Sequence, residues 1–452
     1  MESINPATGE LVREYEALSS RDVDDAIRAA REGFLQWRET TVAERAALLN
    51  RAAEALEASK ADLARLMTQE MGKPIRASEA EIEKCALVCR YYAQNAAAFL
   101  APEMVPTEAS ASYVRFDPIG PVFAIMPWNF PFWQVFRAAA PALAAGNVML
   151  LKHAANVPGC AVAIEETFRR AGFPTGVFTT LLVGHELIDR AIANPMVAGV
   201  TLTGSDRAGR AVAAAAGHHL KKVVLELGGS DPFIVLGDAN VALAAKAAAM
   251  SRTINSGQSC IAAKRFIVDH GVADAFEEAF VRAMRELKVG DPMDPSTDVG
   301  PIARLDLLEN LHDQVLRSVD DGARVLCGGT RLDRAGFFYA PTVLGGVMPG
   351  MAAFEEETFG PVAAISRADS PEHAVRLANG SRYGLGAALW TRDLERAKAI
   401  AARLEAGAVV VNGIVKSDPR LPFGGVKDSG VGRELSSYGL REFTNIKSVW
   451  ID

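Results

Sequence analysis

Between residues 120 and 227 the chain repeats one texture five times. Short apolar runs at 120–126, 147–151, 177–183, 197–202 and 222–227 alternate with alanine-rich stretches of helical spacing at 133–144, 159–171, 185–193 and 208–216. A strand that reads apolar at every position is buried on both faces, and strands separated by helices run parallel, so the pattern predicts a doubly wound α/β sheet. A second series starts at Pro232 (PFIVL), continues through 264–268 and 409–412, and predicts a second α/β domain.

Ahead of the first series lie helices. Val23, Ala26, Ile27, Ala30, Phe34 and Trp37 recur at helical spacing after Ser19, with charged residues on the opposite face. Thr41 and Glu44 form a capping box, and the run from Ala46 to Met71, ending at Gly72 with Pro74 beyond, reads as one long helix. A third helix is expected over 79–100; its Cys85 and Cys89 read as small core residues, because no histidine stands at metal-ligand spacing. No metal site is expected. Residues 110–116 and 446–451 alternate with period two and predict a pair of strands, within one subunit or between two.

At 452 residues the chain has room for two or three domains. Its hydrophobic fraction of 49% and charged fraction of 23% belong to an ordinary globular protein, and the net charge of −7, without blocks of one sign, argues against nucleic acid or an anionic membrane as partner. Five scattered cysteines without a close pair suggest a reducing compartment, and the start lacks a basic segment followed by an apolar run, so a cytoplasmic location is expected.

Ligands of doubly wound sheets bind beyond the carboxyl ends of the strands, and each strand end here carries something unusual. After the first come Trp128 and Asn129, held between Pro127 and Pro131; read alone, Asn129 could be an Asx turn. The second ends in Lys152, which is either solvated or holding an anionic or hydroxylated ligand. The fourth leads through Gly204 and Ser205 into a helix start, a weak phosphate-binding signal. The fifth places Glu226 inside an apolar run, where an unpaired carboxylate needs either a salt-bridge partner or a task. Beyond it, Cys260 lies among Gly257, Gln258 and Ser259, a poor setting for a merely packed thiol.

In chain order, INPATGE, PWNFPFW, LLKHA, VTLTGS, LELGG, GQSCIA, EETFGP and LPFGGVKDSG resemble the motifs of the aldehyde dehydrogenase superfamily over essentially the whole chain. The resemblance implies two doubly wound domains, one Rossmann-like for the cofactor and one catalytic, with a small β oligomerisation arm. It implies Cys260 as nucleophile, Asn129 and the Cys260 amide as oxyanion donors, and Glu226 as the base that activates water. Relatives that pass the acyl group to coenzyme A or phosphate lack this base, so water is the expected acceptor. Trp128, Lys152, Gly204, Ser205 and Leu227 would contact the dinucleotide, with Glu357 and Phe359 at the nicotinamide end; without the family, Glu357 is one member of a solvated acidic run.

NAD-preferring relatives commonly carry glutamate three residues after the strand-end lysine, where this chain has Ala155. A carboxylate about 4 Å from a phosphate would cost roughly 4 kcal/mol per charge pair at an effective dielectric of about 20, so its absence favours NADP, with NAD accepted less well. PFWQVFR, LLKHA and VKSDPRLPFGG resemble bacterial succinate-semialdehyde dehydrogenases, which implies Arg137 and Ser417 as ligands of the substrate carboxylate; the alternative is a structural ion pair for Arg137 and a broad aliphatic or hydroxy-aldehyde dehydrogenase. An inactive binding protein of the same fold is the rival from another class. Expected boundaries are 1–100 with 119–228 for the cofactor domain, 229–430 for the catalytic domain, and 101–118 with 431–452 for the arm of a homodimer or homotetramer.

Overall fold

The computed structural model describes residues 1–452 and gathers the apolar runs into two large sheets. In spatial order the first contains Gly430–Val431, Lys222–Glu226, Gly199–Thr203, Pro121–Met126, Val148–His153 and Phe178–Thr180. All neighbours are parallel except Gly430–Val431, which runs antiparallel along Lys222–Glu226. Its three central strands are buried at every position, which explains their unbroken apolar reading. The helix Trp133–Ala144 is buried all round as well, and its alanines permit close packing.

From Pro121–Met126 the chain first builds outward to Val148–His153 and Phe178–Thr180. It then crosses to the other side for Gly199–Thr203 and Lys222–Glu226. This reversal opens a crevice between the ends of Pro121–Met126 and Gly199–Thr203, the place where such sheets hold ligands.

The expected capping box of Thr41 with Glu44 forms at the start of Val42–Ala58, and Ser19 with Asp22 forms a second one at the start of Ser20–Trp37. The single helix expected over 46–71 is two, Val42–Ala58 and Lys60–Met71, with Ser59 leaving helical geometry at φ −106° and ψ 11°. The bend lets the first half pack on Ile75–Phe99 and Trp133–Ala144, and the second on Ile75–Phe99 and Pro158–Arg170. Gly72, at φ +78°, ends the second half. Cys85 and Cys89 are buried core residues.

The second sheet is wider than the sequence suggests. Its order is Arg324–Cys327, Thr342–Gly345, Val362–Ala368, Arg265–Asp269, Pro232–Val235, Gly386–Trp390 and Ala408–Val411, parallel except at Arg324–Cys327. Strands such as Val362–Ala368 (VAAISRA) and Gly386–Trp390 (GAALW) are rich in alanine and glycine, which hides them from a hydrophobicity pattern. A third sheet joins Thr444–Ile451, Ala111–Pro118 and Glu103–Met104, so the two alternating segments pair within one chain. No helix is long and apolar enough to cross a membrane.

Candidate active site

Trp128 and Asn129 follow Pro121–Met126, and Gly204 and Ser205 follow Thr203 at the end of the neighbouring strand, so both loops border the crevice. With Leu227, Cys260, Glu357 and Phe359 they line one cleft of about 450 Å³. Gly204 donates its amide to the Glu226 carbonyl at 3.0 Å, and the Ser205 hydroxyl caps the helix Asp206–His218 through Ala208 N. Phe359 packs edge-on against Trp128, ring centroids 5.6 Å apart. Lys152 and Ala155 lie outside this lining, at the end of the adjacent strand: Lys152 is buried, and Ala155 is exposed. Burial lowers the Lys152 ammonium, with Glu186 the carboxylate that opposes the shift. A helix start, a buried cation free of any ion pair and aromatic edges fit a dinucleotide; Ser205 and Lys152 would hold its charged groups and Phe359 its ring.

The Cys260 loop is held in a conformation few sequences tolerate. Asn255, Ser256 and Gly257 all have positive φ, and a Cβ at Gly257 would lie 2.3 Å from the Gly360 carbonyl, so glycine is required there. Gln258 pins the turn, accepting from Ala303 N at 2.9 Å and donating to Pro301 O at 3.3 Å. Asn129 Nδ2 donates to Gln258 O at 3.1 Å, and Asn255 Nδ2 bridges Asn129 O and Gln258 O at 2.6 and 3.0 Å. The Asn129 amide thus has a second N–H to offer beside the thiol, and the Cys260 amide is committed to no partner within the chain.

Burial pushes the Cys260 thiol up to about 12, against the opposing fields of Arg137 and Lys264. Lys264, fully buried, donates to the carbonyls of Ser259 and Cys260, both at 2.8 Å, and stands 3.4 Å from Glu357. Glu357 also accepts Gly229 N at 2.9 Å, so it belongs to the site and not to a solvated face.

Glu226 is 2% exposed, and neither carboxylate oxygen has a hydrogen-bond partner. Burial, then the charge of Glu434, hold its carboxyl well above the usual range, while Arg137 opposes both. Gly424, at φ +148°, comes so close that a Cβ would sit 2.6 Å from Glu226 Oε1.

Arg137 differs from the free carboxylate receptor expected of it. Its buried guanidinium is ion-paired with Glu434, donates to Thr203 Oγ1 at 3.3 Å and lies 4.6 Å from the Phe423 ring centroid. It is the group whose field reaches Cys260, Glu226 and Glu434 together. The second expected carboxylate ligand, Ser417, accepts a hydrogen bond from Lys84 Nζ at 2.6 Å. The sequence assigns Lys84, Lys264 and Glu434 no role, and Gln258 only a place beside Cys260. Gln258 and Lys264 at least flank the cysteine within GQSCIAAK; Lys84 and Glu434 are remote along the chain and carry no local signal.

Comparison with known proteins agrees with this geometry. The model of the aldehyde dehydrogenase family matches residues 1–449. The chain is 50% identical over 450 residues to the Escherichia coli succinate semialdehyde dehydrogenase (NAD(P)+) Sad, covering 100% of this chain and 97% of that one. It is 50% identical over 456 residues to succinate-semialdehyde dehydrogenase (NADP+) 1 of Mycobacterium tuberculosis, covering 99% of each. The succinic semialdehyde dehydrogenase of Streptococcus pyogenes, solved in complex with NADP+, superposes with a TM-score of 0.97 at 37% identity, covering 100% of this chain and 99% of the other. With a constrained cysteine loop, a buried carboxylate and a crevice at the sheet's reversal in one fold, and a family match along nearly its full length, the chain belongs to the aldehyde dehydrogenase family.

Proposed function

We propose that the protein oxidises succinate semialdehyde to succinate, with NADP preferred and NAD accepted less well. The observation that carries this reading is the cationic patch of Lys84, Ser417 and Arg137, whose Arg137 acts on the charge of Cys260. A carboxylate at the far end of the aldehyde suits such a patch; the relatives named for this substrate support it. Ala155, exposed and uncharged, leaves room for the 2′-phosphate of NADP near Lys152.

In this reaction the Cys260 sulfur attacks the aldehyde carbon. Arg137 and Lys264 supply the positive field that favours the thiolate over the thiol. The oxyanion is received by Asn129 Nδ2 and the Cys260 N–H, and each such donor is worth about 2.7–4 kcal/mol of barrier. NADP, when bound, supplies the acceptor for the hydride that leaves the thiohemiacetal carbon. Cys260 then carries a thioester. Glu226 takes a proton from water, the hydroxyl adds to the acyl carbon, and the C–S bond breaks to release the acid and the thiol. Glu357 and Phe359, which line the cleft, would hold the nicotinamide end of the cofactor.

The same reading gives residues 1–100 and 119–228 to the cofactor, 229–430 to catalysis, and 101–118 with 431–452 to assembly as a homodimer or homotetramer. One observation favours a broader aliphatic specificity: Glu434 already neutralises Arg137. A panel of aldehydes assayed with both cofactors separates the two. Succinate semialdehyde should exceed butanal in kcat/KM, and NADP should exceed NAD; equal efficiency with butanal would favour the broad reading.

A further inference from the structure

Lys84 lies on the helix Ile75–Phe99, half-buried, with its ammonium 4.1 Å from the Trp133 ring centroid and 2.6 Å from Ser417 Oγ. Every carboxylate that faces it is already engaged. Glu81, one turn earlier, is paired with Lys73 and accepts the amides of Phe132 and Trp133. Asp418 is held by Arg420, and Glu434 by Arg137. Cys85, next on the same helix, is buried with its thiol pushed far up, and so contributes no charge. Among the cations around this patch, Lys73, Arg137 and Arg420 each have an anion. Lys84 has only a hydroxyl and an aromatic face.

A half-buried cation without a counter-ion is in a costly state that an incoming anion relieves. Trp133 and Arg137 stand four residues apart on one helix, so ring, guanidinium, Lys84 and Ser417 form a single patch, and Arg137 is also the group whose field reaches Cys260. We propose that Lys84, with Ser417 beside it, receives the terminal carboxylate of the aldehyde substrate, while Arg137, held by Glu434, is a positioning residue that sets the field. The inference rests on the reading of the substrate as a carboxylate-bearing aldehyde. Burial, then the charge of Arg137, lower the Lys84 ammonium to about 8, so the receptor is charged at neutral pH and loses its charge above it; Glu81, Cys85 and Asp418 oppose that shift.

The test compares succinate semialdehyde with butanal in the wild type and in Lys84→Met, Lys84→Arg and Arg137→Met. A wild-type preference for succinate semialdehyde decides the substrate reading by itself; without it, both the reading and this inference fall. Given that preference, Lys84→Met should lower the kcat/KM ratio of succinate semialdehyde to butanal about 10- to 100-fold, through KM, as expected for a lost charge-assisted contact, with Lys84→Arg recovering most of it. In the wild type, KM for succinate semialdehyde and the inhibition constant of succinate should rise above about pH 8, whereas KM for butanal should not. These pH profiles need no variant and hold if Lys84→Met fails to fold. An unchanged ratio in Lys84→Met, a ratio lost only in Arg137→Met, or flat pH profiles would overturn the assignment.

Discussion

Glu226 is kept in a state that is poor for stability and useful for chemistry. Its unbonded, buried carboxyl is held well above the value of about 4.3 that it has in an unfolded chain, which makes its ionised form the stronger base. Between those two values folding takes up a proton, so the raised pKa costs stability progressively as pH rises toward the folded value. Glu226→Gln removes this cost. The variant should melt higher than the wild type, by a margin that grows as pH rises above about 4.3, and a margin that shrinks with pH would contradict the sign. The same change should leave one equivalent of reduced cofactor per site as a fast burst, followed by turnover slowed about 10²–10⁴-fold because the thioester lacks its base. Lys264 acts on the nucleophile. Its ammonium lies 2.8 Å from the Cys260 carbonyl and opposes the upward push of burial on the thiol. Lys264→Met should therefore move the pH midpoint of Cys260 alkylation by iodoacetamide upward, and an unmoved midpoint in folded protein would remove Lys264 from this role.

The helix Trp133–Ala144 has no capping side chain of its own, yet it carries Trp133 and Arg137 and follows directly on the Asn129 loop. Glu81, from a different helix, does the capping: one carboxylate oxygen accepts the amides of Phe132 and Trp133, each at 2.9 Å, and the other is ion-paired with fully buried Lys73. Lys73 in turn sits 3.8 Å from the Phe130 ring centroid. Glu81→Gln leaves a buried ammonium without its anion, a loss of about 3–5 kcal/mol, and it loosens the segment that aims Asn129. Denaturant titration should show that loss together with a lower kcat; a change below about 1 kcal/mol would mean that the pair is not a true anchor. This anchor also marks where the sequence stops being readable. Cys260, Asn129 and Glu226 were legible because each sits in a short motif at a strand end, and the first sheet because its strands are continuously apolar. Lys73, Glu81, Lys84 and Glu434 are ordinary charged residues along the chain, and only tertiary packing removes water from them. The bend at Ser59 and the strand Gly386–Trp390 were hidden for the opposite reason, since alanine and glycine fit helix, strand and turn patterns alike.

At the scale of the whole molecule two of the open strand edges bear on assembly. Thr444–Ile451 pairs along eight residues with Ala111–Pro118 but has no neighbour on its other side, and it exposes Ile446, Trp450 and Ile451. Ala408–Val411, the sequence AVVV, is paired only with Gly386–Trp390 at the margin of the seven-stranded sheet. A long apolar edge of this kind invites pairing with another chain. A two-fold arrangement that lays Thr444–Ile451 of one copy along Ala408–Val411 of the other closes both of these edges at once, twice per dimer. Lys447, held by Asp117 on the adjacent strand, is the one cation of Thr444–Ile451 and does not obstruct the exposed apolar residues on either side of it. Replacing Ile446 and Trp450 together by lysine should place like charges on the approaching edge without disturbing the buried core. Light scattering should then find monomers where the wild type gives dimers or larger even-numbered assemblies. A wild type that is monomeric at micromolar concentration, or a double variant that assembles as before, would show that these edges are not the contact.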